Sequence, residues 1–376
     1  MDKPGILSRR RFLKIMGALA GGTLLAGCRP LIPAPIATIF PAQRAQVGIT
    51  RAATYEPKLV RQQVQSLFES LGGLKDVVRP GDKVVVKVNL TGGIKGGLPP
   101  AGTTAPESYV THPSVAGAIG ELLLDAGAKE LSIVDSVSEW ESFVDWGYID
   151  MAQRIGARLI DLNGTEPYSD YASVLVGKDW FIYEKFIFNH ILEEADVFVS
   201  VAKMKCHWLL GITQSMKNLV GLAPFKLYER KPGDGNRTGF HGADAETKHR
   251  LPRVVMDLNR ARPIHLSLID GIQTVQGGEG PWNQDLILKS PGILIGGKNP
   301  VATDAVAAAA MGFDPTTDYP NPPFLRAENH LNIARQLGLG TNRLEDIDIL
   351  GARLEDVKMH FQAPGLSWIP QHGKFG

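Results

Sequence analysis

Apolar residues recur at helical spacing from Pro57 to Leu71, at Leu59, Val60, Val64, Leu67, Phe68 and Leu71, and beyond Pro80 the period changes. Lys83-Val-Val-Val-Lys-Val-Asn-Leu90 is a continuous apolar run between charged ends, which predicts a strand buried on both faces and ending in polar Asn89. After a glycine-rich loop (91–102), Thr111-His-Pro-Ser114 opens a helix over Val115–Ala126, with Pro113 in the first turn, where a missing N–H costs nothing. Leu131-Ser-Ile-Val-Asp135 reads as a strand, Phe143–Ile155 as helix and Arg158-Leu-Ile-Asp161 as strand. Short antiparallel strands are expected between Ala172 and Phe188.

The alternation continues to the end of the chain. Val197-Phe-Val-Ser-Val-Ala202 is strand-like, and Thr213 is placed to cap a helix with Met216, Leu219 and Val220 on its apolar face and Gly221 at its stop. Residues 223–249 are polar and irregular, a length of loop that usually serves function or is disordered. A helix over Val254–Ala261 and the strand His265-Leu-Ser-Leu-Ile-Asp270 follow. Ile287-Leu-Lys and Ile293-Leu-Ile are expected to resume the sheet. Asn299-Pro-Val-Ala-Thr-Asp-Ala-Val306 begins an alanine-rich helix, and a helix near Phe324–Leu337 and a strand at Ile347–Leu350 complete the pattern. Strand–helix alternation predicts an α/β fold, a mostly parallel sheet with flanking helices, built as one body or as two lobes around a cleft.

The N-terminus carries an address. Ser-Arg-Arg-Arg-Phe-Leu-Lys over residues 8–14 matches the twin-arginine export consensus, and Ile15–Gly27 is an apolar stretch too short to span a bilayer, which needs roughly 20 residues. It ends in Leu25-Ala26-Gly27-Cys28, the form of a bacterial lipobox. The alternative is an uncleaved membrane anchor. The expectation is a Tat-exported lipoprotein in which residues 1–27 are a signal peptide and Cys28 is diacylated. Residues 28–50 then form a Pro/Ala-rich tether, 51–354 the α/β domain and 355–376 a C-terminal tail. Its partners would be the Tat translocase and the lipoprotein-processing machinery, and its place the extracytoplasmic face of a membrane.

Chemistry concentrates in Lys203–Gly221, where Lys203, Lys205, His207, Lys217 and Asn218 crowd the end of a strand, the position where open α/β sheets place their sites. His207 is a candidate acid/base or a hydrogen-bonded structural histidine. His112 is a candidate proton carrier or a helix cap. Lys217 is a candidate cofactor-bearing amine or anion clamp, as against a solvated surface lysine. Lys87, Lys203 and Lys205 are read as gathering an anionic ligand, Lys203 being the one expected to lie at the surface. Asp304, in an Ala/Val helix, is expected to face a cleft or pair with a lysine, and Asp270 to ligate a metal, orient a histidine or begin a turn. Cys206 and His207, adjacent on an extended chain, point opposite ways and make no catalytic pair.

The 44% hydrophobic content supplies a core, and a formal charge of +1 without a basic run beyond the N-terminus gives no sign of nucleic-acid binding. Two cysteines, Cys28 and Cys206, exclude a four-cysteine iron–sulfur cluster in this chain.

Six motifs in order resemble the domain of unknown function 362 (DUF362) family: Lys87-x-Asn89, Thr111-His112-Pro113, Lys205-x-His207-x3-Gly211-x-Thr213-x-Ser215-x-Lys217-Asn218-x2-Gly221, Asp270-Gly271, Glu279-Gly280-Pro281 and Asn299-Pro300-Val301-Ala302-x-Asp304. Cys206 stands where the family usually has threonine. These motifs hold the candidate catalytic residues His112, His207 and Lys217 and the candidate ligand or cofactor contacts Lys87, Asn89, Lys205, Thr213, Asn218, Asp270, Glu279 and Asp304. His207, Gly211, Thr213 and Lys217 also reproduce the His-x3-Gly-x-Ser/Thr-x3-Lys spacing of nickel-pincer lactate racemases, although Ser215-Met216 replaces their Gly-Gly. That likeness implies proton or hydride transfer on a small hydroxy- or oxo-acid, with a nickel-pincer-type cofactor as the candidate group and His241 as a weak candidate for its metal. The other readings are a redox accessory to an iron–sulfur partner and a non-enzymatic ligand-binding lipoprotein.

Overall fold

The computed structural model describes residues 44–365 except 235, 244, 284 and 285. The signal sequence, Cys28 and most of the tether lie outside the described residues, as does the end of the tail. The strands of the main sheet are β1 (Ala45–Arg51), β2 (Lys83–Lys87), β3 (Glu130–Asp135), β4 (Arg158–Asp161), β5 (Val197–Lys203), β6 (Leu266–Gly271), β7 (Ile293–Gly297) and β8 (Ile347–Gly351). Their spatial order is β8-β1-β7-β6-β5-β2-β3-β4, and β7 alone runs against its neighbours. Three small two-stranded ribbons stand apart from the sheet. One pairs Tyr171–Leu175 with Lys185–Asn189, the antiparallel insertion expected there. Another pairs Thr274–Gln276 with Ile287–Lys289, so Ile287–Lys289 does not rejoin the sheet.

Both faces of the sheet are covered, which is why its strands are apolar at nearly every position. On one face Val84, Val86, Ile133, Val199 and Val201 pack against helix α1 (Pro57–Ser70) and helix α2 (Pro113–Asp125). On the other, Val85, Val134, Ile269 and Ile295 pack against helix α3 (Thr247–Ala261) and helix α4 (Pro300–Ala310). The described residues of the domain form one body around this sheet, so any cleft lies along the strand ends and not between two lobes.

The folded body also reaches further than 51–354. Strand β1 begins at Ala45, inside the stretch read as tether, and pairs with both β7 and β8. Beyond Leu354, Phe361 is buried and its N–H bonds to Met311 O at 2.9 Å. Sequence periodicity missed β1 because its seven residues, AQVGITR, are only half apolar.

The chain runs outward through β2, β3 and β4, then returns to lay β5 on the other side of β2. The reversal between β2 and β5 is the topological switch point, where crevices open at the carboxyl ends of parallel strands. Past β5 the chain makes a tight hairpin of Lys205–His207 with Gly211–Thr213, then a 3-10 helix, Lys217–Leu222. Gly211 turns this hairpin at φ +80°, and a Cβ there would lie 2.7 Å from Pro323 O. Thr213 sits in the hairpin strand and does not cap the 3-10 helix. Asp304 of α4 does that work from outside: its carboxylate accepts the N–H groups of Ser215 at 2.8 Å and Met216 at 2.9 Å. It therefore pairs with backbone and not with a lysine. No cation offsets its burial, so its acidity is weakened, with the pKa raised from 3.8 to about 7.

Two measurements test these assignments. Ile49 is fully buried in β1, so Ile49→Ala should cost about 2–5 kcal/mol in urea unfolding, whereas a tether residue would cost nothing. Because the folded pKa of Asp304 is raised, its proton stabilises the fold at low pH, and that contribution is lost as pH rises from about 4 through about 7. Wild type should lose stability across this window relative to Asp304→Asn, and parallel pH profiles would rule the assignment out.

Candidate active site at the carboxyl edge of the sheet

The neighbouring strands β2 and β5, which flank the switch point, both end in buried lysines, on opposite sides. By the two-residue period of a strand, Lys87 shares its face with Val85, and Lys203 shares its face with Val199 and Val201, which belong to the other core. Each lysine is neutralised by the aspartate ending the next strand. Lys87 Nζ lies 2.8 Å from Asp135 Oδ1, and Lys203 Nζ lies 3.0 Å from Asp270 Oδ2, with both of the latter side chains fully buried. Lys203 is thus an interior charge, contrary to its expected surface position. Neither pair leaves its lysine free to gather a ligand alone.

Around Lys203 the network is closed. Its ammonium also donates to Tyr55 Oη and Pro106 O, both at 2.8 Å, and Tyr55 Oη donates to Asp270 Oδ1 at 2.9 Å. Asp270 further accepts the N–H of His112 at 3.1 Å. The His112 ring stacks on Tyr55 with centroids 3.8 Å apart, and its Nδ1 accepts Ser114 N–H at 3.1 Å, capping α2. Burial lowers the His112 pKa to about 4, so it is a neutral cap whose accepting nitrogen is already engaged.

On the other face lies a pocket of about 50 Å³ at the switch point, lined by Lys87, Asn89, Asp135, Lys217, Gly221 and Arg237 among others. Asn218 organises its floor. Its Oδ1 accepts from Lys87 Nζ and Asn89 Nδ2, both at 3.2 Å, while its Nδ2 donates to Lys87 O at 3.2 Å and Ser200 Oγ at 3.1 Å. Gly221 lies within the 3-10 helix and is not a stop; a Cβ there would sit 2.5 Å from Lys87 Nζ and 2.7 Å from Asp135 Oδ1, so only glycine lets the helix cover the ion pair.

Lys217 differs from the other lysines. It is half-buried at this pocket, and among the described residues its ammonium makes no hydrogen bond or ion pair. Desolvation, opposed by Glu279 and reinforced by Arg237 and Lys87, lowers its pKa to about 8. Its charge is also felt by His207, His241 and His330, and all three are held neutral by burial. His207 is the nearest of these in sequence. Its Nδ1 accepts the N–H groups of Leu209 and Leu210, each at 3.1 Å, which places the ring proton on Nε2. His207 thus offers a hydrogen-bond donor and not a base. The charges acting on His112 are Asp270, Lys203 and Glu107, whereas those acting on His207 are Lys217, His241, Lys205 and His330. The two histidines belong to separate charge neighbourhoods.

Lys205 is buried and donates only to carbonyls, Tyr109 O at 2.5 Å and Glu279 O at 2.9 Å. The Glu279 carboxylate is spent on Trp208 N–H and Trp282 Nε1–H, at 2.8 and 3.1 Å, and so holds a loop in place. Thr213 is buried with no partner for Oγ1 among the described residues. Cys206 donates to Gln362 O at 3.3 Å, and burial pushes its pKa up to about 12, leaving it inert.

Sequence reasoning missed Asp135, Arg237, Tyr55, Ser200 and His330. Asp135 was legible, since its strand ends in a charge as β2 does. Arg237 lies in an irregular stretch with no periodic signal. His330, fully buried with both ring nitrogens unpartnered among the described residues, opens the helix His330–Gln336, and nothing local distinguishes it.

Comparison with known proteins places the chain. It is 26% identical over 279 residues to the thylakoid-associated protein sll1697 of Synechocystis sp., covering 72% of this chain and 76% of that one. Two solved structures align weakly, each at 14% identity. One is a Thermotoga maritima protein (TM-score 0.36, 64% of this chain and 56% of that one). The other is the lactate racemase apoprotein of Thermoanaerobacterium thermosaccharolyticum (TM-score 0.37, 72% and 58%). This chain therefore spans under two thirds of either structure. The family model described as a domain of unknown function, DUF362, matches residues 84–309, which take in the switch-point pocket, both lysine–aspartate pairs and the Asp304 cap; the chain belongs to the DUF362 family.

Proposed function

We propose that this protein is an enzyme that moves a proton on a small anionic substrate, a hydroxy- or oxo-acid, at the switch-point pocket. The observation that carries the reading is Lys217. Its amine lines the pocket without a protein partner among the described residues, and its pKa of about 8 lets it both hold and release a proton near neutral pH. Arg237 lines the same pocket with no carboxylate in contact among the described residues, and with Lys87 already paired to Asp135 this leaves a cationic surface that favours an anion. In this assignment Lys217 takes the proton-carrying role for which His207 and His112 were candidates, because both histidines spend Nδ1 on backbone N–H groups.

The residues also suit a covalently held group of the nickel-pincer type. Lys217 is the amine that would carry it, in place of and not together with the proton-carrying role, and such a group, when bound, supplies an electron-accepting centre. Among the described residues no three His, Cys, Asp or Glu side chains converge as a metal site, so the metal's ligands would come mostly from the group itself.

The export motif and lipobox support an extracytoplasmic protein anchored through Cys28. The Synechocystis relative is named as thylakoid-associated, and association with a membrane is what a lipid anchor would give here.

The amine-labelling rate of Lys217 should titrate near pH 8, about two units below an ordinary lysine, and a bound small acid should slow it. Acid affinity should fall as pH rises through about 8, and Lys217→Ala should weaken it about tenfold or more. Ordinary labelling without protection would sink the reading. For the anchor, cells fed a labelled fatty acid should mark wild type but not Cys28→Ser, and the variant should leave the membrane fraction; an unlabelled wild type overturns it.

A further inference from the structure

Two residues that line the pocket each carry a buried polar atom with nothing to bond to among the described residues, and the two atoms are of opposite kind. One is Arg237 Nη2, on a side chain only 7% exposed. Arg237 is anchored by Nε, which donates to Ala223 O, and by its guanidinium lying 4.2 Å over the Phe225 ring. The other is Asn89 Oδ1, on a side chain 8% exposed. Both residues line the pocket with Lys217.

That the free atom of Asn89 is an oxygen follows from the network behind it. The Lys87 ammonium can only donate, so Asn218 must turn Oδ1 toward it, 3.2 Å away. The Lys87 carbonyl can only accept, so Asn218 Nδ2 faces it. Ser200 gives its hydroxyl proton to Ser215 O and takes the second Asn218 N–H. Asn89 therefore presents Nδ2 to Asn218 Oδ1, and reversing its amide would set two oxygens against each other. A fixed acceptor and a fixed cationic donor are thus left on residues that line one pocket.

Resting on the reading of this pocket as an anionic substrate site, we infer that its ligand is a hydroxy-acid and not an oxo-acid: a carboxylate held by Arg237 beside Lys217, and an adjacent hydroxyl donating to Asn89 Oδ1. An oxo-acid brings only acceptors and leaves Asn89 unpaired in a buried site, the circumstance in which hydrogen-bonding pockets discriminate most strongly. A simple carboxylic acid fails in the same way.

Calorimetric titration of the full chain with D- and L-lactate, pyruvate, propionate and inorganic phosphate tests this. At least one lactate enantiomer should bind about tenfold or more tightly than pyruvate and propionate. Arg237→Gln should weaken all three acids while keeping their order, and Asn89→Ala should bring them within about twofold of one another. If Asn89→Ala does not fold, the ligand series on wild type still decides. Acids that bind in a Lys217-dependent way without preference for lactate would overturn this inference and leave the site reading standing. Binding of none of them, or binding indifferent to Lys217→Ala, would overturn both. Phosphate binding more tightly than lactate would overturn the hydroxy-acid assignment in favour of a phosphate site.

Discussion

Burying a lysine charge without a counter-ion costs several kcal/mol, and this fold buries two at the ends of the neighbouring strands β2 and β5. The architecture of the carboxyl edge follows from how they are neutralised. Asp135 and Asp270 end the strands flanking β2 and β5, so each ion pair also ties two parallel strands at the level where their ladder stops. Each aspartate has further work: Asp135 accepts the N–H of Leu90, and Asp270 those of His112 and Ile272, fixing the loops that leave the sheet. The pairs are thus less a source of net stability than of specificity, since removing one partner would strand a charge in the core.

Neutralising Lys87 and Lys203 internally changes what the remaining cations mean. A lysine satisfied by aspartate attracts little. Lys217 and Arg237, placed against the same pocket without such partners among the described residues, are what the proposal of an anion site rests on. The period of the strand is what separates this pocket from the Tyr55–His112 cluster: Lys87 and Lys203 point to opposite faces, and the groups they organise are divided accordingly.

The helices and parallel strands were largely legible because both obey strong periods and the strands are buried on both faces. Lys87, Asn89, Lys217 and Asn218 could be picked out because polar residues at the end of an apolar strand, or in an apolar turn, have no packing reason to be there. What the sequence did not disclose was tertiary pairing. Asp304 read as a cleft or lysine partner because an isolated buried carboxylate must be satisfied, yet satisfaction came from two backbone N–H groups of a distant loop. Thr213 looked like a cap for the same segment, and the cap was supplied across the fold instead. Lys203 looked like surface because its partners, Asp270 and Tyr55, lie 67 and 148 residues away along the chain.

The same logic bears on why Lys217 and Lys205 persist. Lys205 is buried with only carbonyl oxygens around it, and Lys217 has no protein acceptor among the described residues, so apolar side chains of similar volume at these positions would relieve a desolvation cost. A fold that already spends two aspartates on two lysines has shown how it compensates a charge when structure alone is at stake. Leaving Lys217 uncompensated at the edge of the pocket is the arrangement expected where stability is traded for binding, and under the proposed function the missing counter-charge arrives with the ligand. The polarity fixed through Lys87, Asn218 and Asn89 then sets what else that ligand must carry.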